Sequence, residues 1–139
     1  MPSIDGIVAL EQRESSGTVI SGGSHADRFV MGLLRACAAA VVVAGGTFRA
    51  TPNHRWTAGH IFPALADEFK RMRRDLKRAS EPTLVVVSAR GDVDSRHSTL
   101  EGPSLVLTTR EGEARLRGRV PSSRTVQALP EGKPCTVRL

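Results

Sequence analysis

Between Ser24 and Cys37 the apolar positions Ala26, Phe29, Val30, Leu33, Leu34 and Cys37 alternate steps of three and one, the stripe of a helix with one face on a core. Ser24 stands where an N-cap belongs, and Asp27 three residues later gives capping-box spacing with the shorter acid. A different pattern follows. Val41-Val42-Val43 is a β-branched run apolar at every position, halted by Ala44-Gly45-Gly46, which predicts a buried strand ending in a glycine turn. A second helix is predicted from Pro63, tolerated in a first turn, to about Arg78, with Leu65, Phe69, Met72 and Leu76 at steps of four, three and four.

Leu84 to Val87 and Leu105 to Leu107 repeat the continuously apolar pattern, the first closed by the turn signal Ala89-Arg90-Gly91-Asp92. A short helix around Glu111 to Leu116 and a strand at Thr125 to Leu129 complete the reading, and Gly17 to Gly23 is a loop. Strands without alternation, separated by helices or long connections, define an α/β fold: a mainly parallel sheet flanked by helices on both faces. The 139 residues make one domain, with no internal repeat and no linker.

Composition narrows the function. The chain is 40% apolar and 24% charged, an ordinary globular balance, and its net charge of +6 suits an anionic partner, which could be a phosphorylated metabolite, a nucleotide or a nucleic acid. Aromatic residues are only 4% of the chain and tyrosine is absent, too few for a base-stacking platform, so nucleic acid is the least favoured of these. No run approaches the roughly 18 apolar residues of a membrane helix, and Met1 to Asp5 shows neither a basic nor an apolar leader segment. With Cys37 and Cys135 read as reduced thiols, a cytoplasmic protein without membrane contact is expected.

In open α/β sheets ligands bind beyond the carboxyl ends of the strands, which makes Asp5-Gly6, Gly45-Gly46-Thr47 and Ser88 the candidates. Gly45 and Gly46 lack side chains that would hold a phosphate or ribose away from backbone N–H groups, and Thr47 adds a hydroxyl; the same residues also suit a plain tight turn. His25, His54, His60 and His97 show no metal-ligand spacing, and no serine-hydrolase elbow is present. Lys70, Arg71, Arg73, Arg74, Lys77 and Arg78 make the second helix basic, which reads as a solvated face opposite its apolar stripe.

Ser3-Ile4-Asp5-Gly6, Ser16-Gly17, Asp27-Arg28-Phe29-Val30 with Leu33 to Ala36, Val41 to Arg49 (VVVAGGTFR), Leu84 to Ser88 and Leu105 to Thr109 occur in an order and at gaps that resemble one family. It is the reductase domain of riboflavin biosynthesis, the C-terminal half of the bifunctional deaminase/reductase, with the dihydrofolate reductase fold. The resemblance implies NADPH-dependent reduction of a 5-amino-6-(phosphoribosylamino)uracil-like substrate to its ribityl product. By family position Thr47 and Ser88 contact NADPH, Gly45 and Gly46 let the cofactor approach, Asp5 and Gly6 line the cleft, and Arg35 binds the substrate through a guanidinium fork. The catalytic residue is left unassigned, and assembly into a homo-oligomer is compatible with the pattern.

Ala44 and Thr51 depart from the family pattern, standing where a glycine and an aspartate are usual. The pattern also expects an apolar strand before Ser3 and a Glu-Gly-Gly phosphate loop beyond Leu139, so a partial reductase domain over residues 1–139 is expected. Two alternatives remain: a relative that binds nucleotide without turnover, and a basic nucleic-acid-binding module.

Overall fold

Three valine- and leucine-rich runs and a short fourth segment form the strands, each extended because its β-branched side chains pack on a pleated surface. A computed structural model of the chain describes residues 23–119 and 125–129, so Asp5, Gly6 and the Gly17–Gly22 part of the loop lie outside the described residues. In chain order the elements are α1 (His25–Cys37), β1 (Ala40–Ala44), α2 (Gly45–Ala50), α3 (Ala58–Ile61), a 3-10 turn (Pro63–Leu65), α4 (Ala66–Asp75), β2 (Thr83–Val87), a 3-10 turn (Ser98–Glu101), β3 (Ser104–Thr108), α5 (Arg110–Leu116) and β4 (Thr125–Ala128). The strands lie in the order β1-β2-β3-β4, and every neighbouring pair is parallel. The α/β class and the parallel sheet flanked by helices follow the sequence reading.

Register decides which side chains meet. Val41 is opposite Leu84, Val43 opposite Val86 and Val86 opposite Val106, so these residues share one face. Phe48 of α2, Trp56 and Leu100 close over that face, and Phe48, Val86 and Val106 are almost wholly inaccessible. At about 25 cal/mol per Å² of apolar surface, burial of each such side chain contributes about 1.5–3 kcal/mol. The other face is covered less evenly. Val85 and Leu107 are buried there, whereas Val42 is 65% exposed and Val87 39% exposed.

That exposure corrects the expectation of a strand buried on both sides at Val41–Val43. α1 explains it, because it packs on α3 and α4 rather than across β1. Its core contacts come from Gly32, Ala36 and the partly buried Leu33, while Phe29, Val30 and Leu34 of the predicted stripe are exposed. The second helix is also divided. Pro63–Leu65 forms a 3-10 turn before α4, which ends at Asp75; Leu76 is 48% exposed, and Lys77 takes a positive φ of 53° that stops the helix.

Arg73 overturns its assignment to the solvated basic face. Its side chain is 3% exposed and ties α4 to the end of α1: Nε donates to Ala79 O at 2.7 Å, and one terminal nitrogen donates to the carbonyls of Arg35, Ala36 and Ala38 at 3.1, 2.9 and 2.8 Å. Carbonyls at a helix C-terminus have no intrahelical donors, and a guanidinium there satisfies them and complements the helix dipole. Charge alone did not distinguish this arginine from its exposed neighbours. Arg73→Ala should destabilise the fold by about 2–4 kcal/mol in urea titration, and Arg73→Lys should recover little because an ammonium cannot present the fork; Arg74→Ala on the same helix should change stability by less than about 0.5 kcal/mol.

Candidate functional site

At the carboxyl ends of β1 and β2 the chain opens an exposed cleft of about 330 Å³, lined by Gly45, Gly46, Ser88, Ala89 and Arg90 among others. Gly45 and Gly46 form the first turn of α2 rather than a loop turn, since the backbone passes directly from strand to helix. No side-chain hydrogen bond caps α2, which leaves first-turn N–H groups without intrahelical acceptors. The two glycines have different reasons to be small. A Cβ on Gly45 would lie 3.0 Å from both Cβ and Oγ of Ser88, so the close approach of the strand ends requires its absence, whereas a Cβ on Gly46 would meet nothing within 4 Å.

Ser88 is buried and held by its backbone. Its N–H donates to Leu107 O at 3.0 Å, and its carbonyl accepts from the Thr108 hydroxyl at 2.6 Å and from Gly91 N–H at 3.1 Å. Thr109 Oγ1 donates to Ala89 O at 2.7 Å while accepting from Gly112 N–H at 3.1 Å, which caps α5. Gly91, at φ 65°, lies so close to the Gly112 backbone that no side chain fits between them. Thus the β2 side of the cleft is locked onto β3 and α5.

The cleft is electropositive. Arg49 and Arg90 both reach it, and the one carboxylate in its wall, Asp92, pairs with Arg49 at 3.3 Å. Arg90 has no ion-pair partner among the described residues. It also borders an adjoining hollow of about 270 Å³ with Arg115 and Arg119.

Of the residues singled out in the sequence, Gly45, Gly46 and Ser88 come together at this cleft, and Thr47 sits exposed in the first turn of α2. Asp5 and Gly6 fall outside the described residues. Arg35 does not line the cleft. It lies on the last turn of α1 beside His54 and His60, where burial lowers its pKa and leaves Nε without a hydrogen-bond partner. Burial, His60, Arg35 and His97 together push His54 down to about 4, and burial with Arg55, Arg35 and Arg28 lowers His60 as well.

Isolated histidines give no spacing signal, so the sequence reading missed this cluster. His97 was missed for the same reason: it is buried against Phe48, ring centroids 4.2 Å apart, and accepts from Thr99 N–H at Nδ1, which places the proton on Nε2 for donation to Thr51 O at 3.3 Å. Thr51 turns its own hydroxyl back to Thr47 O at 2.8 Å, so it closes the end of α2.

A parallel sheet whose strand ends bring a glycine pair, a serine and unpaired basic charge to one cleft has the arrangement in which open α/β domains bind their ligands. The family comparison names the class: residues 1–132 match the model of the RibD C-terminal domain, and the chain belongs to that family, a reductase domain of riboflavin biosynthesis. A search of the curated proteins finds no match. The wall geometry predicts that Gly91→Ala destabilises the protein by about 2–4 kcal/mol through a forbidden φ and backbone overlap, as read in thermal or urea unfolding; Gly118→Ala, with a positive φ of 79° and open surroundings, should cost less.

Proposed function

We propose that the chain binds NADPH at the Gly45–Ser88 cleft and reduces a ribosylamino pyrimidine phosphate of the 5-amino-6-(phosphoribosylamino)uracil type. The single observation that carries this reading is the open space above Gly46, beside Ser88 and the unpaired Arg90, in a chain of this family. A phosphate can reach the backbone at Gly46 because nothing projects there, and the cleft offers it N–H donors and positive charge. When bound, the cofactor supplies a hydride for C1 of the sugar, which leaves a ribityl chain.

The protein's own residues bind and orient. Ser88 Oγ has no described hydrogen-bond partner and is available to the cofactor, and Thr47 offers a second hydroxyl from the first turn of α2. Arg90, with Arg115 and Arg119 behind it, favours the extra phosphate of NADPH over NADH. Arg35, with Nε buried and lacking an acceptor, is the substrate contact, and its fork suits a phosphoryl group. No general acid is assigned.

Fluorescence titration tests the reading. Gly46→Val should leave Tm within about 2 °C while weakening NADPH at least tenfold, because the new side chain occupies space that only a ligand would use. Thr47→Val and Ser88→Ala should each weaken NADPH by a smaller factor. Arg90→Ala should raise the Kd for NADPH about tenfold to a hundredfold and leave that for NADH unchanged, as expected for loss of a charge-assisted contact. Arg35→Lys should weaken substrate more than NADPH; equal loss of both would remove Arg35 from the substrate site. Binding without NADPH oxidation on adding substrate would identify a nucleotide-binding relative that does not turn over.

A further inference from the structure

The cationic cluster between α1 and α3 holds two imidazoles to which the reductase reading gives no task. The rings of His54 and His60 meet edge to face with centroids 4.8 Å apart, and His54 also packs edge-on against Trp56 at 5.1 Å. Trp56 is stacked on Phe48, so the His54 ring is backed by the buried core while the His60 side chain is exposed. The charged groups acting on the pair are cationic or imidazole: Arg28 and Arg35 from α1, Arg55 from the segment before α3, and His97 from the start of the second 3-10 turn; α4, which also packs on α3, carries Asp67 and Glu68, each paired within its own helix, with Lys70 and Arg71. Among the described residues the only carboxylate paired with any of these is Glu81, on Arg55 at 3.5 Å.

Arg35 Nε completes the picture, being buried with no acceptor. Buried donors normally have partners, and this one has two imidazoles beside it in place of an acceptor. α2 spans about 9 Å at 1.5 Å per residue, and it leads from Gly45 at the cleft toward the segment carrying His54. α2 and the segment after it thus connect the cleft to the cluster.

We infer that His54 and His60 are the proton-accepting part of the phosphate subsite: a phosphoryl dianion seated against Arg35 is hydrogen-bonded by both rings as imidazolium, so that binding draws protons from solvent. This rests on the reading of Arg35 as the substrate-phosphate contact. The sign follows from the surroundings. In the free protein, burial and the neighbouring cations hold both rings neutral at physiological pH. A dianion reverses the sign of the local field and favours the charged ring, so affinity rises as pH falls from 8.5 until the phosphate itself takes up a proton, near its second pKa of about 6. The subsite thus discriminates for a dianion, which can hold two imidazolium donors, over a monoanion of similar size.

The test is calorimetric titration of the full chain with ribose 5-phosphate at pH 7.5, in two phosphate-free buffers of different ionisation enthalpy. The expected result is saturable binding with uptake approaching two protons per ligand, about one for each ring, and no binding of ribose. His60→Gln, at an exposed position, should keep Tm, reduce the uptake and weaken ribose 5-phosphate about fivefold to tenfold at pH 6.5 but less at pH 8.5; His54→Gln should do the same. Binding without proton uptake, uptake unchanged in both variants, or no binding of ribose 5-phosphate would each overturn the inference. NADPH titration of the same samples separates the two readings: loss of NADPH binding with proton-linked ribose 5-phosphate binding intact sinks the reductase reading and leaves the anion subsite standing, whereas the reverse sinks the subsite alone.

Discussion

Two backbones in contact, Gly91 on the loop after β2 and Gly112 in α5, fix the wall on which the cleft depends. Neither strand geometry nor hydrophobic burial holds Ala89 and Arg90, which are exposed just beyond Ser88. The loop is held because α5 comes to it at backbone distance and because the hydroxyls of Thr108 and Thr109 take up the carbonyls of Ser88 and Ala89. β3 and α5 therefore shape the wall through main-chain approach and a side-chain hydroxyl, with Arg115 of α5 beside the adjoining hollow. Gly45 repeats the principle on the β1 side, where omission of a Cβ allows Ser88 to close against the strand end.

The helical layer is organised by charge as much as by burial. Arg73 gathers three carbonyls at the end of α1 and fixes α1 against α4, so Arg35, on the same last turn, is set in place by a neighbour's guanidinium. That anchoring sets Arg35 beside His54 and the His60 of α3. Phe48 and Trp56 then link this cluster to the sheet, because the Phe48 ring packs in the core beneath α2 while Trp56 carries His54 on its edge. One short helix thus joins the two chemically distinctive regions of the molecule.

Much of the architecture is legible in the sequence. Continuously apolar runs gave β1, β2 and β3 their places, and the Ser24 cap with a three-and-one stripe placed α1, with Ser24 Oγ accepting from Asp27 N–H as capping requires. What escaped were features fixed by tertiary contact. α2 and α3 are too short for periodicity to register, and a glycine pair that signals a turn became a helix start because Phe48 pulls the following segment into the core. A stripe marks a helix but not its depth of burial, so Leu34 and Leu76 were assigned to the core yet are exposed. At the site, strand ends identified Gly45, Gly46 and Ser88, whereas His54, His60 and His97 come together only in three dimensions.

The paired threonines have an effect on dipole direction. A trans peptide is planar, with its C=O and N–H pointing opposite ways. Since Thr108 draws the carbonyl of Ser88 toward β3 and Thr109 draws that of Ala89, the amide protons of Ala89 and Arg90 are turned away from those hydroxyls. The partial negative ends of two consecutive peptide units are thereby engaged by the β3–α5 junction, and the electrical polarity of this stretch of wall is written in main-chain orientation, independent of any ionisable group.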